Sequence, residues 1–218
     1  MIKVIALFLS LIILFVTQYQ FSILHPGGND SLPRWLGTKY WIEYGLSPYS
    51  EKVSQEAQLH IFGRLAHTWE DQQYFVYPFY VVLFYLPIIW LPFEAGRALG
   101  MLAIEAALAV TVFLSARMFK WSPKNGLLGL TLGFSIFFYN GFRTIILWQP
   151  AGIVAGLIAV SLWIFKEKRD FLAGICLALA TIKPQMVIVI VPFLALWALY
   201  NRRWKFIAGL SGTMLVLS

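Results

Sequence analysis

Few residues in this chain could do chemistry, and they are spread along it. Asp30 closes the stretch His25-Pro26-Gly27-Gly28-Asn29-Asp30, and Arg97 opens a long apolar run. Arg143 and Trp148-Gln149-Pro150 lie between two further runs, and Lys183-Pro184-Gln185 separates two short ones. A carboxylate can take a proton from an attacking hydroxyl. Arg grips phosphate through paired hydrogen bonds, and Lys acts as a point charge. An acid beside such cations fits chemistry on a lipid phosphate. Each residue also has a plain structural use. Asp30 fits a turn acid or a helix N-cap. Arg143 and Lys183 fit anchors whose heads reach the membrane interface, and Pro184 fits a turn. Glu105, in Ile104-Glu105-Ala106, fits a helix–helix pair or a site equally well. His25, His60 and His67 have no metal-ligand spacing. There is no Gly-rich phosphate loop, nucleophile elbow or Cys cluster. No metal and no cofactor is expected.

The elements that must position these residues are membrane helices. Of the 218 residues, 60% are hydrophobic and 12% charged, against about 25% charged in soluble domains. The net charge of +7 does not point to nucleic acid. The basic residues form short clusters between apolar runs, as in cytoplasmic loops. The single cysteine, Cys176, allows no disulfide within the chain. Apolar runs cover 4–24, 76–93, 96–116, 125–140, 145–165, 171–182, 185–200 and 206–218. The first exceeds a signal peptide's apolar region, and Gln18-Tyr19-Gln20-Phe21 is a poor cleavage site, so it reads as an uncleaved span. The polar stretch 25–75 is too long for a simple connection. Its aromatics (Trp35, Tyr40, Trp41, Tyr44, Tyr49, Trp69) argue against disorder. They argue for short amphipathic helices at the membrane surface, where Trp and Tyr settle.

Orientation follows from the cations. Arg117/Lys120/Lys124, Lys166/Lys168/Arg169 and Arg202/Arg203/Lys205 read as cytoplasmic, and Lys3 puts the N-terminus there too. The stretch 25–75 is then outside. An odd number of crossings must separate residues 75 and 117, yet two apolar runs lie between them. The run 76–93, with Pro78, Pro87 and Pro92, is a poor continuous helix and is expected to be juxtamembrane or re-entrant. The reading is an all-α, polytopic helix bundle of about seven spans, with residues 1–24 the first span, 25–95 the outer loop and 96–218 the bundle. The runs flanking Lys183, about 12–16 residues each, reach about 18–24 Å, short of the ~30 Å hydrocarbon core. Lys183 is therefore expected below the outer surface, where a cation usually marks a function or a partner. The last run ends at Ser218 in mid-span, so a truncated chain is expected.

The residues also resemble a known family in their order. A first span is followed by Asp30, then Tyr44-Gly45-Leu46-Ser47-Pro48-Tyr49, Tyr77-Pro78 and Leu91-Pro92. Later come Trp148-Gln149-Pro150, Ile182-Lys183-Pro184-Gln185 and Arg202-Arg203-Trp204. This is similar to the polyprenyl-phosphate-mannose-dependent mannosyltransferases of glycosyltransferase family 87, within the GT-C superfamily. The resemblance implies an active site on the non-cytoplasmic face of a multi-pass protein, here of a prokaryotic plasma membrane. It implies a polyprenyl-phosphate sugar as donor and a glycolipid or glycan as acceptor, in a lipid setting without nucleic acid. Asp30 would be the general base of an inverting displacement. Arg143 and Lys183 would hold the donor phosphate, with Gln149 and Gln185 as hydrogen-bond donors. Tyr44, Tyr49 and Tyr77 would be candidates to contact sugar or acceptor. Two departures stand out: Trp148-Gln149 replaces the family's frequent Gly-Gln, and family members are usually longer. The competing reading is a transporter or flippase of a lipid-linked or anionic substrate, although transporters often carry repeats and none is found here. A non-catalytic scaffold is a third.

Overall fold

The computed structural model describes residues 2–25 and 27–218; Met1 and Pro26 lie outside the described residues, as does the side chain of Lys3, one of the cations used above for orientation. The regular secondary structure of the described residues is all helical, with no strand. In chain order the helices are α1 (Ile2–Leu24), α2 (Leu32–Tyr44), α3 (Glu51–Phe62), α4 (Val82–Tyr85), α5 (Phe93–Met118), α6 (Asn125–Phe137), α7 (Tyr139–Ile146), α8 (Ala151–Lys166), α9 (Asp170–Leu179), α10 (Pro184–Val187), α11 (Ile190–Tyr200) and α12 (Trp204–Leu217). Short 3-10 turns lie at Phe79–Val81 and Ala180–Ile182. Val4–Leu24 and Phe93–Met118 are long and apolar enough to cross a bilayer; α7 with α8, bent by 114°, makes a third span if counted as one. The chain divides into two compact units, Met1–Ala103 with Ile145–Gln149, and Ile104–Thr144 with Pro150–Ser218.

In the first unit, α1 exposes Val4, Phe8, Ile13 and Leu24 and buries Gln18 and Ser22. Such an apolar outer surface suits lipid. Its Ser10 and Thr17 hydroxyls bond back to the carbonyls of Ala6 and Ile13, so neither donor is left unmet in hydrocarbon. The stretch 25–75 folds into the short helices its aromatics suggested. Pro33 starts α2, and Gly45 and Gly63 end α2 and α3 in the left-handed region. The run 76–93 forms no span-length helix. Pro78, Pro87 and Pro92 remove backbone donors, leaving a 3-10 turn, the single turn of α4 and a series of turns. Its apolar residues instead build a core: Val81, Val82, Tyr85, Ile89 and Phe93 are buried with Leu32 and Trp35.

In the second unit, α9 and α12 pack backbone to backbone. A Cβ on Gly174 would meet Leu210 N at 2.6 Å and also Phe206 O, and one on Gly209 would strike Phe171 O. Small residues permit such close approach between membrane helices. Phe165, Leu177, Leu194 and Phe206 fill the core beside this contact. The run 125–140 ends early, at Phe137. Phe138 turns extended (ψ 143°) and α7 begins again. The turns after α5, α8 and α11 share one device. Lys120, Lys168 and Arg202 sit at φ 53°, 59° and 55°, and the following N–H closes onto the carbonyl five residues back, at Ala116, Ile164 and Ala198. This is the Schellman closure with a cation where Gly is usual. Each such cation also sits just past the negative end of its helix.

Candidate active site

Asp30 ends a turn that the sequence Gly27-Gly28 makes possible. Gly28 has φ +73°, and a Cβ on Gly27 would lie 2.5 Å from Arg97 Nη2. The N–H groups of Ser31 and Leu32 both point to Gly28 O, and α2 starts from Ser31. The cap position is therefore Ser31, not Asp30, and no side chain caps the helix. The Asp30 carboxylate is used otherwise: Gln149 Nε2 donates to its Oδ2 at 2.7 Å, across 119 residues of sequence.

Three further bonds bind the 25–31 turn to segment 146–149 of the same unit. Arg97 donates from Nη1 to His25 O at 2.7 Å and from Nη2 to Ile146 O at 3.0 Å. Ser31 Oγ donates to Trp148 O. Ser31 Oγ lies 2.6 Å from Tyr85 Oη; having given its one proton to Trp148, it accepts from Tyr85. Burial raises the pKa of the Tyr85 hydroxyl well above its ordinary value, which keeps that donor in place. Arg34, one helical turn after Asp30, donates to the Asp30 carbonyl. Its guanidinium also covers the Tyr77 ring at 4.3 Å. Burial, and secondarily the charge of Asp30, raise the Tyr77 pKa, while Arg34 opposes them.

The arrangement is a carboxylate with one oxygen fixed by an amide. The other, Oδ1, carries no hydrogen bond among the described residues. Such a group is oriented and open to accept a proton. Of the expected site residues, Asp30, Gln149 and Tyr77 belong to this cluster. Tyr49 supports it by donating to Tyr77 O at 2.7 Å. Tyr44 is exposed and pairs with Tyr40. Arg143, Lys183 and Gln185 belong to the second unit. There Arg143 is exposed and donates to Tyr139 Oη at 2.8 Å. Lys183 is half-buried between the 3-10 turn and α10, and Gln185 is exposed in the first turn of α10. The sequence reading missed Arg34, Ser31 and Tyr85. A signal existed for Arg34: Pro33 sets a helix start, which places Arg34 four residues beyond Asp30 on one face. Among the described residues, no cluster of His, Cys, Asp or Glu could hold a metal ion.

Comparison with known protein families gives a match. The model of glycosyltransferase family 87 matches residues 75–218. No curated protein and no solved structure matches. The matched segment includes Tyr77, Arg143, Gln149, Lys183 and Gln185 and begins after Asp30. It covers well over half of the chain, so the chain belongs to glycosyltransferase family 87 and is a membrane glycosyltransferase that works on a sugar donor and an acceptor.

Proposed function

We propose that this protein transfers mannose from a polyprenyl-phosphate donor to a hydroxyl of a glycolipid or glycan acceptor. The transfer occurs on the non-cytoplasmic face of a multi-pass protein with about seven crossings, and it inverts the anomeric centre. Asp30 is the general base. The acceptor oxygen forms its bond to the anomeric carbon as the bond to the phosphate oxygen breaks. The acceptor proton passes to Asp30 Oδ1, and the lipid phosphate leaves with the bonding electrons. Negative charge grows on that phosphate, so fixed cations lower the barrier. Arg143 and Lys183 are assigned this role on their chemistry, with Gln185 and the second amide hydrogen of Gln149 as neutral donors. Tyr77 flanks Asp30 on the acceptor side, and Tyr49 steadies its backbone.

The observation that supports this reading is the Gln149–Asp30 bond. A carboxylate serving only as a turn acid needs no amide brought from a distant segment to orient it. The test is to supply membranes containing the protein with polyprenyl-phosphate mannose and a panel of other lipid-linked sugars. The product's anomeric configuration is then read by NMR. Transfer of mannose with inversion is expected. Retention, or exclusive use of a nucleotide sugar, overturns the proposal.

A further inference from the structure

Beside the Asp30 turn, within the first unit, lies a cavity of about 250 Å³ whose lining is half polar. That volume gives room for several waters or a charged headgroup. Ser22, Gly27, Asn29, His60, Glu94 and Arg97 contribute to its wall. Two of these carry unmet polar atoms. Arg97 is 1% exposed and Ser22 5% exposed, and among the described residues neither Arg97 Nε nor Ser22 Oγ has a hydrogen-bond partner.

Arg97 bonds two carbonyls, His25 O and Ile146 O, and so clamps the turn to segment 146–149. The clamp uses two of the five guanidinium donors. It does not explain the charge. No carboxylate lies within ion-pair distance of Arg97 among the described residues, and a guanidinium cannot shed its proton. Glu94, three residues before Arg97 on α5, acts on this charge only through space. Burying a guanidinium without a directly paired carboxylate is costly, and a neutral side chain could hold two carbonyls without that cost. The cavity also opens at the start of the 26-residue α5, where the helix dipole is positive. Glu94, on the first turn of α5, is the one acidic group in the wall.

We propose that this cavity takes a phosphate ester, held by Arg97 and Ser22 with Asn29 beside them. The proposal rests on the reading under "Proposed function", whose donor it supplies with an anchor for its phosphate. It adds Arg97 to the cations, Arg143 and Lys183, that compensate the charge of that phosphate. Asn29 links cavity and base, being the residue before Asp30.

The test measures binding to the full-length chain in detergent by calorimetry. The probes are a short-chain prenyl monophosphate and inorganic phosphate, and the variants are Ser22→Ala, Arg97→Lys, Glu94→Gln and Asp30→Asn. Wild type should bind prenyl phosphate, with inorganic phosphate competing. Ser22→Ala removes a hydroxyl without a partner among the described residues, so it should weaken binding about threefold without lowering the melting temperature. Arg97→Lys keeps the charge but loses the planar fork, and should weaken binding roughly tenfold. Glu94→Gln removes a repelling charge and should tighten it. If wild type binds neither probe, or if Ser22→Ala and Glu94→Gln both bind as wild type, the site does not exist. Ser22→Ala and Glu94→Gln decide the matter even if Arg97→Lys does not fold. Arg97-dependent binding of inorganic phosphate with which prenyl phosphate does not compete overturns the lipid source and leaves a free-phosphate site. Asp30→Asn should bind as wild type. Sugar transfer that survives Asp30→Asn refutes the base assignment and leaves the cavity result standing.

Discussion

Gly100→Ala should damage the site more than the fold. On α5, a Cβ at this position would overlap the Nε1, Cε2 and Cδ1 atoms of Trp148. The indole has little room to retreat. It is 4% exposed, with the Tyr85 and Phe93 rings at 5.4 and 5.8 Å, and its backbone is already at φ 50°. Over-packing of this kind costs about 1–3 kcal/mol. The better helix propensity of Ala returns about 1 kcal/mol, so a net loss of up to about 2 kcal/mol is expected. The catalytic effect is larger, because the Trp148 carbonyl receives Ser31 and the next residue holds Asp30. A displacement of about 1 Å at a reacting group can cost about a hundredfold in rate. The control is Gly133→Ala, where a Cβ meets open space. Melting temperature in detergent and initial transfer rate are the two readouts. Gly100→Ala should lose several degrees and most of its rate, and Gly133→Ala neither. Wild-type rate and melting temperature for Gly100→Ala would refute the packing argument and the coupling to Asp30 with it.

Three other outcomes follow from the same geometry. Gln149→Leu removes a hydrogen bond to a charged group, and transfer should fall about ten- to a hundredfold while the melting temperature moves little; rate measurements on matched membrane preparations check this. In the second unit, Arg203 pairs with Asp170, donates to Phe165 O at 2.7 Å and lies 3.7 Å over the Phe165 ring. Arg203→Ala should therefore lower stability by about 3 kcal/mol and more than Asp170→Ala does, as read by thermal unfolding. Glu70 is held at about 2 from an ordinary 4.5, chiefly by its bond to Arg64. The folded-state value is depressed, so the contribution of this ion pair is complete above about pH 4.5 and is lost as pH falls toward 2. Protease cleavage in the 63–73 turn should rise across that window in wild type and be insensitive to it in Glu70→Gln.

The helices were legible where one physical cause dominates. Unbroken apolar stretches give α1 and α5, and three prolines break 76–93, as their missing donors require. The aromatics in 25–75 signalled helices, and α2 and α3 are there. The division of 125–146 was not legible. Phe138 carries no breaking residue, and the turn depends on Gly141, where a Cβ would strike Ser135 O. In the site, the acid and Gln149 were each visible as polar residues in apolar surroundings, but their bond was not. It joins positions 119 apart, and no local rule specifies such a pair. Arg97 was visible as the start of a span. Its burial without a directly paired carboxylate is a property of packing, which a sequence does not display. Family membership weighs against the transporter and scaffold readings, on which the polar residues alone are silent.

The central claim is that Asp30 takes the acceptor's proton. The most direct measurement compares wild type with Asp30→Asn in membranes supplied with radiolabelled polyprenyl-phosphate mannose, following product formation and donor binding together. Asparagine keeps the shape and one acceptor oxygen but cannot accept the proton at neutral pH. Product formation should fall by about a hundredfold or more, with donor binding close to wild type. Wild-type transfer by Asp30→Asn would contradict the account, and the base would have to be sought elsewhere.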